Sequence, residues 1–198
     1  FGGITKMENE RQNIQKTLAG FIQKYEAEHN LLQAQMVEKL NSYYGKKVIS
    51  QSQLSKIETC SALPRSYCFY LICNALEIDP SEIFPIIAKR TSYQKKNCLD
   101  SKETFVDSLT TNLNKIITPK TEEAKNSSPT RDHQLVPWCN KWIALEMSDK
   151  LWSSGGQQKD SIAEYTIYRY LHEGRNMPLD HLIALCKILN VEASDLID

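Results

Sequence analysis

Gln51, Ser52, Gln53 and Lys56 stand within one short stretch, Ser50-Gln51-Ser52-Gln53-Leu54-Ser55-Lys56-Ile57-Glu58, and their side chains suit one kind of chemistry. A primary amide donates and accepts at once, so a glutamine can pair with both groups that adenine shows in the major groove. A helix amino terminus adds unpaired backbone N–H groups that favour phosphate. The spacing predicts such a helix here. Ser50 is its cap, Gln53 three residues on completes a capping box, and Leu54 and Ile57 turn inward. Gln51, Ser52, Gln53 and Lys56 are left on the solvent side of the first turns. The bland alternative is that they merely solvate an exposed helix.

Other chemistries find no support. The chain has no phosphate-cradling glycine loop, no Ser/His/Asp set at familiar spacing and no cleft-like group of carboxylates, so no enzymatic activity is expected. Gly155-Gly156 reads as a turn. Cys60, Cys68, Cys73, Cys98, Cys139 and Cys186 contain no C-x-x-C pair and read as reduced thiols, with Cys68, Cys73 and Cys186 in apolar helical stretches. His29, His133, His172 and His181 are scattered. Neither a metal site nor a cofactor is expected.

The elements that must position the glutamines are all helical. Met36, Val37 and Leu40 predict a helix over about 33–43, ended by Gly45 and followed by a connector from Lys46 to Ile49. Ahead of it, Ile14, Leu18, Phe21, Ile22 and Tyr25 predict a helix from about Glu8 to His29 that packs behind the pair. The six residues before Met7 are read as lying outside the fold. Beyond the glutamine stretch, Ser61 to Pro64 make a turn, Tyr67, Cys68, Leu71, Ile72, Ala75 and Leu76 mark a fourth helix, and Asp79-Pro80-Ser81-Glu82 opens a fifth.

Leu32-Gln33-Ala34-Gln35, the stretch Ser50 to Glu58 and the apolar helix after it together resemble the phage-repressor (XRE, lambda-Cro) helix-turn-helix family. The long connector Tyr43-Tyr44-Gly45-Lys46-Lys47-Val48-Ile49 departs from the tight bacterial turn and is similar to that of eukaryotic POU-specific domains, so it leaves the domain of life open. The resemblance implies that Gln33 binds backbone phosphate and braces a base-reading Gln51, that Ser52 and Gln53 read neighbouring bases, that Lys56 touches phosphate and that Glu58 is structural. With Lys46, Lys47, Ser50 and Arg65 these residues make the expected DNA-binding set.

The second half repeats the first less faithfully. Asp100 and Glu103 form a candidate capping box, and Val106, Leu109, Leu113 and Ile116 trace a narrow stripe over about 100–117, which Thr118-Pro119 is expected to stop. That helix either docks on a neighbouring core or self-associates. Residues 119–134 lack apolar periodicity and read as flexible. The segment from Asn74 to Phe84 aligns with that from Lys187 to Ile197, apolar on apolar and cap on cap, with Cys73 falling on Cys186 and Phe69 on Leu182. Trp138, Trp142, Leu145 and Leu151-Trp152 suggest one or two helices upstream. If Ser161 caps the next helix, Tyr165, Thr166 and Ile167 take the base-reading positions. Tyr165, Thr166, Arg169, Tyr170 and Arg175 then form a second surface for DNA or for a protein partner.

The expected fold is all-α: two small repressor-like helical bundles, 7–90 and 135–198, joined by a partly flexible linker over 91–134. The chain has 198 residues with 24 basic and 24 acidic side chains, which argues against a general polycation. Lys39, Lys46, Lys47, Lys56 and Arg65 nonetheless make a local basic face, opposed there by Glu38 and Glu58. No run of eighteen or so apolar residues and no signal-peptide pattern are present, so no membrane partner is expected. The sequence thus predicts a double-stranded-DNA-binding regulator, repressor-like, acting inside the cell in a bacterial cytoplasm or nucleoid, or alternatively in a nucleus. It would be a homodimer or hold a protein partner through the C-terminal module. The alternative is a non-catalytic adaptor subunit of a larger nucleic-acid-processing complex.

Overall fold

The computed structural model describes residues 2–45, 47–83, 101–127, 138–150 and 162–197, and among the described residues it contains ten helices and no strand. The fold is all-α. The chain divides into two compact units, Phe1–Lys95 with Pro178–Asp180, and Lys96–Met177 with His181–Asp198.

In the first unit, α1 (Gly2–Glu28) buries Ile14, Leu18, Ala19 and Ile22. It begins at Gly2, so residues 2–6 belong to the helix, not outside the fold. Its end is a left-handed residue, Asn30 at φ +51°, with Leu31 N–H returning to Glu26 O at 2.8 Å. Next, α2 (Gln33–Tyr43) buries Met36 and Leu40 and ends at Gly45, whose φ is +61°. The connector after it is held by one side chain. Asn41 Oδ1 accepts from Val48 N at 2.6 Å and Ile49 N at 3.0 Å, while Asn41 Nδ2 donates to Ile49 O at 3.0 Å. Tyr44 donates its hydroxyl to Leu71 O and accepts from Asn74 Nδ2, both at 2.9 Å, which ties the end of α2 to α4 (Ser66–Ala75). Between them lies α3 (Gln51–Glu58). Most of α4 is buried, including Phe69, Leu71, Ile72 and Cys73. A one-turn helix, α5 (Pro80–Ile83), follows an Asp79 cap that accepts from Ser81 N at 2.9 Å. Phe84 and Ile87, expected in that helix, lie outside the described residues.

The second unit opens with α6 (Lys102–Ser127) and continues with α7 (Asn140–Lys150), α8 (Glu164–His172), α9 (Leu179–Leu189) and α10 (Ala193–Ile197). Ser101 starts α6 by accepting Thr104 N at 2.9 Å, in place of the expected Asp100 box, and Asp100 itself lies outside the described residues. The buried stripe of α6 is Phe105, Val106, Leu109, Leu113 and Ile117, with Ile116 only half-buried. That helix does not stop at Thr118-Pro119. It runs through Pro119 to Ser127, across residues expected to be flexible linker. A proline removes one helical hydrogen bond, and here the next turn is pinned from outside. Thr121 Oγ1 lies 3.0 Å from Ile117 O and 3.1 Å from Trp138 O, and Lys120 Nζ sits 4.8 Å from the Trp138 ring centroid.

Four polar side chains of α6 bond the carbonyl ends of two other helices. Thr110 Oγ1 donates to Tyr170 O at 3.1 Å and Asn114 Nδ2 to Leu171 O at 2.6 Å, at the end of α8. Ser108 Oγ donates to Ile197 O at 3.2 Å and Asn112 Nδ2 to Leu196 O at 3.3 Å, at the end of α10. These are the carbonyls that a helix leaves unpaired at its carboxyl end. The stripe helix is therefore docked. Among the described side chains of α7, Ile143, Ala144 and Met147 are buried and Leu145 is exposed.

The helix order of each unit is long, medium, short, medium, very short, and one turn recurs in atomic detail. Ile78 N–H bonds Cys73 O at 2.9 Å and Val191 N–H bonds Cys186 O at 3.1 Å, each just after a left-handed residue, Glu77 or Asn190, both at φ +55°. Glu82 N–H bonds Asp79 O at 2.9 Å, and Asp195 N–H bonds Glu192 O at 3.0 Å. Cys73 and Cys186 are buried at matching positions, as the alignment of the two segments predicts.

Candidate nucleic-acid interface

The amino terminus of α3 is built as its residues predict. Ser50 Oγ accepts from Gln53 N at 3.3 Å, and Ser50 N donates to Gln53 Oε1 at 2.9 Å, which completes the capping box. Ile49 and Leu54 occupy the two positions of a hydrophobic staple and are 1% and 0% exposed. With Ile57 also buried, Gln51, Ser52, Gln53 and Lys56 project outward. Gln53 does two jobs, since its oxygen also accepts the Ser50 hydroxyl at 2.9 Å and is thereby committed to the cap. Its amide nitrogen is the group left to point at a ligand. Lys47 is exposed in the connector, Arg65 is exposed at the cap position of α4, and Lys46 lies outside the described residues.

Beneath this face α1, α2 and α3 converge. Gln33, the first residue of α2, is half-buried and donates its Nε2 to Glu58 Oε2 at the far end of α3. Gln23 Nε2 on α1 reaches Glu58 O at 3.4 Å. One helical turn on from Gln23, the Glu26 carboxyl comes within hydrogen-bonding range of Glu58. Burial, then the Glu58 charge, push Glu26 up from the ordinary carboxyl range to about 7. The partner given to the Gln33 nitrogen is thus Glu58. Glu26 escapes sequence reasoning. On α1 it looks like any solvated acid, and only the packing of α1 against α3 brings it to Glu58.

The second candidate face is α8. Its cap position is Ala163, which makes no side-chain cap bond, and Ser161, expected as its cap, lies outside the described residues. Tyr165 is 60% exposed and Tyr168 43%, and their rings stack at 6.0 Å between centroids with planes 11° apart. Arg169 Nε is paired with Glu173 Oε2 at 2.8 Å, and its guanidinium lies 5.7 Å from the Tyr165 ring. Thr166 is half-buried and Arg175 exposed. Two residues expected outward are not. Ile167 is 1% exposed, and Tyr170 is 4% exposed with its hydroxyl 2.7 Å from His181 Nδ1. They fall three residues apart on the inward face, with Leu171 beside them.

Among the described residues no cluster of three or more His, Cys, Asp or Glu could hold a metal ion, and none of the helices is long and apolar enough to cross a membrane. Burial pushes the Cys68 and Cys186 thiols up to about 12 and Cys73 well above its ordinary value, which keeps them unreactive. No curated protein and no solved structure matches the chain. A family model described as the Cro/C1-type HTH DNA-binding domain matches residues 157–198, which take in α8, α9 and α10. The C-terminal part of this chain is thus similar to a Cro/C1-type helix-turn-helix domain.

Proposed function

We propose that this chain is a sequence-specific double-stranded-DNA-binding regulator of transcription, repressor-like, built from two helix-turn-helix modules in tandem. The first spans residues 7–90 and has a POU-specific-like connector. The second, drawn from sequence at 135–198, gains α6 as its leading helix. In the first module α3 enters the major groove. Gln51 pairs with a base edge, Ser52 and the Gln53 amide nitrogen contact neighbouring bases, and the Ser50 end of the helix faces phosphate together with Gln33, Lys46, Lys47, Lys56 and Arg65. The observation that carries this reading is the capped α3, buried on Leu54 and Ile57, with Gln51, Ser52 and Lys56 turned to solvent.

The test is selection of bound duplexes from a random-sequence pool, followed by two substitutions. Gln51→Ala is expected to weaken the selected duplex about tenfold to a hundredfold, the loss of one bidentate base contact at 1–3 kcal/mol. Gln53→Glu keeps an acceptor for Ser50 and removes the outward donor, so it should lower affinity with helix content unchanged. A pool that enriches no motif would overturn the regulator reading.

For the second module, one observation favours a partner surface: Tyr165 and Tyr168 are exposed while Glu173 neutralises Arg169. Paired charge and bare aromatic rings suit a protein interface better than phosphate. In this reading the C-terminal module holds a second copy or another protein while the N-terminal module reads DNA. If the random pool yields no motif and the chain is held by a protein assembly through α8, it is a non-catalytic adaptor.

A further inference from the structure

Glu26 and Glu58 form an unusual floor for a helix proposed to read DNA. One oxygen of each carboxyl is buried with no hydrogen-bond donor from another residue, while the second oxygen of Glu58 is held by Gln33 and its backbone carbonyl by Gln23. Two ionised carboxylates meeting there would repel, and the buried oxygen of each would lack a donor. A single proton between them turns an acceptor facing an acceptor into a donor facing an acceptor.

We propose that a proton shared by Glu26 and Glu58 fastens the end of α1 to the end of α3, and that its loss weakens DNA binding by the first module. The proposal rests on the DNA-binding reading above and supplies its regulation. Around the pair, the charged and titratable groups are Lys24, Tyr25 and Glu28 in the last turns of α1, His29 just after it, Glu38 and Lys39 on α2 and Lys56 on α3. Lys24 is paired with Glu28 at 3.8 Å, the His29 ring stacks on Tyr25 and bonds its carbonyl, and Lys39 lies over the same ring at 5.1 Å. The charge acting on Glu26 is that of Glu58.

Two effects then run in one direction. Ionised Glu26 pushes against Glu58 and strains the Gln33–Glu58 bond that sets the start of α2 against α3. It also adds negative charge under a face that must accept phosphate. The DNA-bound state therefore prefers the shared proton, and affinity falls as pH rises through about 7, the value to which burial and Glu58 bring Glu26. Folding is linked with the same sign. The folded pKa is the raised one, so the stabilisation is full below 4.5 and is lost as pH climbs to about 7.

The experiment uses the full chain and the random-sequence duplex pool, with affinity for the enriched duplexes measured from roughly pH 6 to 8.5. One linked proton changes affinity by at most about tenfold per pH unit, and an overall weakening of about three- to tenfold is expected for the native chain. Glu26→Gln keeps the shape and stays neutral. It should hold the tight binding across the range and remove the 4.5-to-7 component of thermal stability. Glu58→Gln, the second variant, should bring the Glu26 carboxyl, followed by NMR titration, part of the way back from about 7 toward the ordinary range, with burial holding the rest of the shift. A native chain that binds with no pH dependence, or a Glu26→Gln chain that keeps the native slope, overturns the switch alone. No binding of any duplex at any pH overturns the DNA reading, and the switch with it.

Discussion

Asn41 decides whether the long connector holds a single shape. A seven-residue segment with a glycine and two lysines would be loose by composition, yet Asn41 meets three of its backbone groups at 2.6 to 3.0 Å. Asn41→Ala removes all three partners and leaves half-buried amides unpaired. At about 1 kcal/mol per bond it should cost roughly 2 to 3 kcal/mol, visible as a lower midpoint in urea unfolding with the slope unchanged. If the midpoint holds, the connector is kept in place by Ile49 and Tyr44 alone. Neighbouring residues show the same economy of means. Gln53 serves the cap with one end of its amide and faces outward with the other, and Glu77 accepts a left-handed backbone that Asn190 takes more easily at the matching turn.

At the scale of helices, Pro119 is the visible fault. It sits inside α6 and is exposed, so its cost is not repaid by burial of its ring. Pro119→Ala restores the N–H and relieves the clash with the preceding turn, and should stabilise the second unit by about 1 to 3 kcal/mol in denaturant unfolding. A neutral or destabilising outcome would mean that α6 is bent there to reach Trp138. The helices whose signals are local could be read from sequence. Ser50, Gln53, Leu54 and Ile57 specify α3 within a few residues, and Asp79-Pro80 starts α5 in the same way. What escaped was written across distance. The run of α6 past Pro119 depends on the Trp138 carbonyl, the inward turn of Tyr170 depends on His181, and the meeting of Glu26 with Glu58 depends on two helices packing. Each residue step turns a helix by about 100°, so the surface of α8 could not be assigned until its start at Glu164 was known.

For the whole molecule, net charge is zero, so on the proposed reading attraction to DNA comes from the local basic face and not from the chain at large. With about four to six phosphate contacts, log affinity should fall against log salt with a slope of about −4 to −5. A flat response would count against groove binding, whatever motif selection returned. The four carbonyl bonds supplied by Ser108, Thr110, Asn112 and Asn114 set a further condition at this scale. The stretch that a family pattern recognises and the stretch that can stand up unaided are different lengths of chain, because the former begins at residue 157 and its helix ends are finished by residues 57 to 89 positions earlier. Any recombination that transplanted the C-terminal domain without α6 would carry the lettering of the domain and leave behind its frame.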